Sequence, residues 1–215
     1  MIKLLKKEFR LAMHPIAPLM ILLSSMVMIP NYPYSVIFFY VSMGIFFTCL
    51  LGRENNDVVY SLTLPVAKKD IVKARIGFAV VLEMIQLVVT VPLAILSQSL
   101  NKTGNQAGMD ANITFFAVGF IIYGCFNFVY FKSYYKNVNK VGFCFVESSI
   151  VIFVLVLLEV VATHAIPFAR DYLDTKDPNY LTYKLIALAI GIVTYIFLTY
   201  RAYKISKYRF ETQDL

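Results

Sequence analysis

The chain has 215 residues, of which 59 % are hydrophobic and only 15 % charged, with a mean hydropathy of +0.69. Soluble domains carry about 25 % charged residues, so this composition excludes an ordinary water-soluble enzyme and defines one integral membrane domain over residues 1–215. The formal net charge of +7 does not indicate a nucleic-acid partner, because the Lys and Arg residues fall at the ends of apolar runs rather than along one surface.

Residues 1–13 place Ile2, Leu5, Phe9 and Ala12 or Met13 at spacings of three and four, with Lys3, Lys6, Lys7 and Arg10 on the other side. This pattern predicts an amphipathic helix lying at the membrane interface, its basic face toward anionic lipid headgroups. An apolar run follows from Ile16 to Ile29 and is broken by Pro30, Asn31, Tyr32 and Pro33. Proline lacks a backbone donor and stops a helix, so Ile16 to Ile29 and Tyr34 to Leu51 are predicted as two spans of a tight hairpin.

The apolar pattern then gives way to a polar island, Leu51 to Arg75. A bilayer core about 30 Å thick tolerates neither such a density of charge nor irregular lipid-exposed backbone, so the island is an aqueous loop. Further spans are predicted at Ile76 to Leu96, Ile113 to Phe131, Val141 to Ile166 and Lys184 to Tyr200. They are separated by a polar segment at 97–112, a basic loop at 132–140 and an acidic segment at 167–183. The prediction is an all-α polytopic protein with six transmembrane helices. With both termini cytoplasmic, 16 of the 20 Lys and Arg lie inside, leaving Lys102, Arg170, Lys176 and Lys184 outside, the bias expected of a cell-membrane protein.

Three carboxylates interrupt apolar runs. Glu83 lies about 10 Å along its helix from Ile76, with Gln86 nearby, and Glu147 occupies a similar depth in the fifth span. A buried charge is expensive in lipid, so Glu83, Gln86 and Glu147 are candidates for inter-helix contacts or for lining a cavity near the inner leaflet. Glu159 and His164 approach the outer end of that span, where a structural role is expected. Catalytic motifs are missing: His14 and His164 are the only histidines, and there is neither a nucleophile elbow nor a phosphate-binding loop. The odd number of cysteines, Cys49, Cys125 and Cys144, all within apolar runs, reads as packing.

Within the island, Glu54, Asn55, Asn56 and Asp57 lead to Ser61, Leu62, Leu64, Pro65 and Val66, then Lys68, Asp70, Ile71, Val72, Lys73, Ala74 and Arg75. This phrase resembles the first cytosolic loop of bacterial ABC-2 type permease subunits. The resemblance implies a bacterial membrane-spanning subunit of an exporter of peptides, lipids or drug-like molecules, paired with a second permease copy or paralogue and with ABC ATPase subunits. On that basis the chain binds no cofactor, ATP and Mg belong to the ATPase, and the island contains a coupling helix. Glu54, Asn56, Asp57, Leu62, Pro65, Lys68 and Asp70 are the ATPase-coupling candidates. Val58, Val59 and Leu62 form the expected apolar contact face, with Glu54 and Asp57 directed at basic groups of the partner. Lys132, Lys136 and Lys140 are candidates for a second cytosolic contact. A short re-entrant element is implied within 165–183. The alternative from another class is a non-transporting assembly, sensory or immunity factor that docks a cytosolic partner.

Overall fold

The computed structural model describes residues 2–101 and 104–212, and Lys102 of the outer charge count lies outside them. Among the described residues the secondary structure is entirely helical. An N-terminal helix, α1 (Ile2–Lys7), runs on as a π-helical turn, Glu8–Ala12. After a bend of 89° comes α2 (Ile16–Leu22), which continues as a 3₁₀ turn, Leu23–Met28. The longer helices are α3 (Ile37–Glu54), α5 (Lys68–Leu100), α6 (Ile113–Tyr134), α7 (Val141–Ala165) and α8 (Leu181–Glu211), with the short α4 (Asp57–Thr63) between α3 and α5.

Five of these helices are long and apolar enough to cross a membrane, and the bent N-terminal pair supplies a sixth candidate. Its second arm, residues 16–28, is short, about 22 Å with the 3₁₀ portion rising faster than an α-helix. It nevertheless runs between opposite ends of its neighbours. His14 N–H donates to Thr48 Oγ1 (3.2 Å) near the C-terminal end of α3, whereas Ser97 Oγ donates to the Val27 carbonyl (2.8 Å) near the C-terminal end of α5. The reversal between this arm and α3 is made at Asn31, whose φ of 56° lies in the left-handed region that asparagine tolerates.

Two boundaries differ from the sequence reading. The first turns of α5, from Lys68, belong to the polar island but are helical, so α5 is about 50 Å long and projects beyond any bilayer core. The basic tail from Arg201 likewise continues α8 as helix to Glu211. In both places charged side chains are compatible with helix once the segment leaves the lipid.

The closest helix packing joins α6 to α8. A Cβ placed on Gly191 would meet the Ala117 carbonyl oxygen at 2.6 Å, and one on Gly124 would meet the Tyr195 Cα at 3.0 Å, so the two backbones touch only because these positions lack side chains. Between α7 and α8, within the stretch expected to hold a short re-entrant element, residues 167–173 form a short helical segment that ends in a π turn, Ala169–Leu173. The segments at 104–112 and 173–177 are laced together: Asn112 caps α6 by accepting from Phe115 N–H and donates to the carbonyls of Leu173 and Thr175, and Asp110 N–H donates to Asp174 Oδ1 (2.6 Å). Lys184, fully buried, is neutralised by Asp177 at 2.8 Å, which explains a lysine at the start of an apolar span.

Candidate coupling site

The island folds as a helix–turn–helix–strap. Asn56 adopts a left-handed conformation (φ 52°) that turns the chain out of α3 and into α4. Leu64 is extended, as a residue preceding proline must be, and so α4 stops before Pro65. The strap ends at Ala67, after which Asp70 sits in the first turn of α5, where the helix dipole favours an acid.

Behind α4 lies a four-charge cluster. Arg75 Nε of α5 is 2.8 Å from Glu8 Oε2, and its terminal nitrogen pairs with Asp57 Oδ2 of α4. Lys7 Nζ lies 2.5 Å from Asp57 Oδ1 and 3.3 Å from Glu8 Oε1, and donates to Ser61 Oγ at 2.9 Å. The Arg75 and Glu8 side chains are only 3 % and 2 % exposed, and Gly52 of α3 lies against the guanidinium. Two cations and two anions balance, which is what burial of ionised groups demands. The cluster ties the N-terminal element to α4 and α5, so α4 cannot shift without straining bonds to both.

The sequence missed three of these four charges, although their spacing contains the signal. Glu8 falls in register with Leu5, Phe9 and Ala12, on the apolar face of its helix. Arg75 continues the buried stripe of Ile71, Val72, Ala79 and Leu82. In the N-terminal element Lys3, Lys6 and Arg10 keep the exposed basic face that was expected, and Lys7 alone departs from it. The element's apolar face packs on the chain's own core, with Phe9 and Phe78 centroids 4.8 Å apart, and Lys7 turns inward rather than toward headgroups.

Two roles within α4 are corrected. Asp57 is engaged inside the chain by Lys7 and Arg75 and is not directed at a partner's basic groups. Val58 is buried and Leu62 half-buried against the core, so they anchor the helix; Val59 (55 % exposed) and Tyr60 (59 %) form its outward apolar surface. The reason is the amphipathic period: residues 58, 61 and 62 share one face of a helix and 59 and 60 the opposite one. Of the other candidates, Glu54, Asn56 and Pro65 are exposed and Lys68 and Asp70 half-buried. Lys68 Nζ sits 5.8 Å over the Phe210 ring.

The second basic loop adjoins the first, since Arg53 donates to the Asn139 carbonyl at 3.5 Å. Lys132 is half-buried, Lys136 and Lys140 exposed. Aromatic rings of Tyr130, Tyr134, Tyr135 and Phe210 pack in succession at this end of the bundle, joining α6 to the end of α8.

Of the intramembrane candidates, Glu83 and Gln86 are wholly enclosed. Glu83 Oε2 accepts from Tyr195 OH (2.6 Å) and Asn127 Nδ2 (3.1 Å), and Gln86 Nε2 donates to the Ile37 carbonyl (2.9 Å). They are inter-helix ties. Glu147 accepts from Ser133 Oγ (2.6 Å) and does line a recess.

This is a polytopic helical membrane protein that presents a short helix, braced by a buried charge cluster, from the loop between its second and third predicted spans. A model of the ABC-2 family transporter proteins matches residues 3–207, and the chain belongs to that family. The searches of curated proteins and of solved structures each returned no match.

Proposed function

We propose that this chain is the membrane-spanning permease subunit of an ATP-driven exporter and that α4 is the element through which a separate ABC ATPase moves it. The observation that carries this reading is the division of α4: one face clamped to α1 and α5 through Asp57, the other offering Val59 and Tyr60. A packed, rigid element transmits displacement, whereas a mobile loop absorbs it. Glu54, Asn56 and Pro65 rim the docking surface, while Asp57 and Leu62 hold α4 in place. ATP and Mg²⁺ are bound by the ATPase, which hydrolyses the nucleotide. A second permease copy or paralogue completes the pathway, with both termini in the bacterial cytoplasm.

The test is ATP hydrolysis by the cognate ATPase reconstituted with this chain. Tyr60→Asp is expected to abolish permease-dependent stimulation while insertion and thermal stability stay unchanged. Full stimulation by that variant would remove α4 as the coupling element.

A further inference from the structure

At the end of the bundle that carries the basic loop, α6 and α7 diverge and leave two adjoining recesses of about 560 and 500 Å³ that share Ser133, Lys136 and Glu147. Lys140 lines the first, and Lys132 and Arg209 the second. Arg209 is held there by its donation to the Lys132 carbonyl at 2.6 Å, which fixes a cation from α8 over the C-terminal end of α6, where the helix dipole favours it. Among the described residues lining the two recesses, four are cationic and one, Glu147, is a carboxylate, which accepts from Ser133 Oγ.

The recesses do not end in polar surface. Phe143 forms a wall of the first and Ile150 of the second, and both belong to an exposed apolar stripe on α7 that continues through Val154 and Leu157 to Val161. From Phe143 to Val161 the stripe runs about 27 Å, close to the thickness of a bilayer core. A site that is cationic at one end and apolar along its length matches one chemical class.

We propose that the α6–α7 recess binds an anionic phospholipid of the cytosolic leaflet, its phosphate held by Lys132, Lys136, Lys140 and Arg209 and an acyl chain laid along α7. Basic pockets between transmembrane helices on the cytoplasmic side are suited to such headgroups. The proposal assigns the lysines of the second loop to lipid rather than to the ATPase.

Purified chain in detergent, supplied with phosphatidylglycerol, phosphatidylcholine or inorganic phosphate, is read by native mass spectrometry for retained ligand. Phosphatidylglycerol is expected to be retained in preference to phosphatidylcholine, and inorganic phosphate not at all, because the apolar stripe contributes only to a lipid. Lys132→Gln and Lys136→Gln are each expected to weaken retention by about fivefold. Glu147→Gln removes the opposing charge and is expected to strengthen it, a gain that misfolding cannot produce. Lys69→Gln, on the other loop, is the control and leaves retention unchanged. Equal retention of the neutral and anionic lipids, no gain from Glu147→Gln, or lysine variants that lose ATPase binding while keeping the lipid would each overturn the assignment.

Discussion

The guanidinium of Arg75 is ion-paired with the carboxylate of Asp57, and this contact joins α4 to the long α5. Removing one partner of a buried pair leaves the other charge uncompensated, which costs about 3–5 kcal/mol. Arg75→Gln is therefore expected to lower the midpoint of thermal unfolding in detergent sharply. Combining it with Glu8→Gln removes one of the stranded charges, so the double variant should be less destabilised than the two single effects added together. Simple additivity would mean that Glu8 and Arg75 do not act as one unit.

Leu62 and Tyr60 lie two residues apart on opposite sides of α4, and their substitutions should separate folding from coupling. Leu62→Asp places a charge against the core and forfeits about 1.5–3 kcal/mol of apolar burial before the cost of the buried acid is counted. Its expected signature is loss of stability and expression. Tyr60→Asp should leave both intact and suppress only the stimulated ATPase rate. If the two variants behave alike in thermal unfolding, the assignment of inner and outer faces is wrong.

Contact between α6 and α8 depends on a missing side chain. Gly191→Val would drive a branched Cβ into the Ala117 backbone, 2.6 Å from its oxygen, and backbone cannot yield as a side chain can. A loss of about 1–3 kcal/mol is expected from overpacking, read from thermal or denaturant unfolding. Gly142, whose Cβ would meet nothing within 4 Å, should accept alanine without effect and serves as the comparison.

The loops at the opposite end of the bundle contain a titratable tie. Burial pushes the Asp174 carboxyl from 3.8 up to about 7, opposed by its hydrogen bond from Asp110 N–H and reinforced by the nearby Asp110 and Glu159 carboxylates, with His164 acting against them. The folded state holds this proton more tightly than the unfolded chain. Stability contributed by Asp174 is therefore full below about pH 4 and falls as pH rises toward 7. Asp174→Asn keeps an acceptor for Asp110 N–H but cannot ionise, so its unfolding midpoint should vary less between pH 5 and 7 (roughly the span of the shift) than that of the parent. An unchanged pH profile would show that another group sets it.

Sidedness is checked by thiol labelling in a background lacking Cys49, Cys125 and Cys144. Cysteines at Lys69 and Asn137, both exposed, should resist impermeant reagents in intact cells, while those at Gln106 and Asn179, also exposed, should react. Labelling of position 69 from outside would place α4 away from any cytosolic ATPase.

Much of this architecture is written in the order of the residues. Apolar runs of about 20 residues, the proline break at Pro30 to Pro33 and the concentration of Lys and Arg in alternate loops are sufficient for an all-helical polytopic fold, because lipid enforces helix and charge enforces orientation. The island's phrase from Glu54 to Arg75 carried the family resemblance that the match over residues 3–207 confirms. The direction in which each side chain points was another matter. Helices that are apolar on every side carry no amphipathic signal to say which face meets protein, so the approach of α6 to α8 through Gly191 and Gly124 was invisible until both backbones were placed. Charge sign alone could not show that Lys7, Glu8, Asp57 and Arg75, scattered over 69 residues, would neutralise one another. Burying an ion is tolerable only beside its counter-ion, and that partner is chosen by the tertiary fold, which here turned Asp57 inward and left Tyr60 exposed.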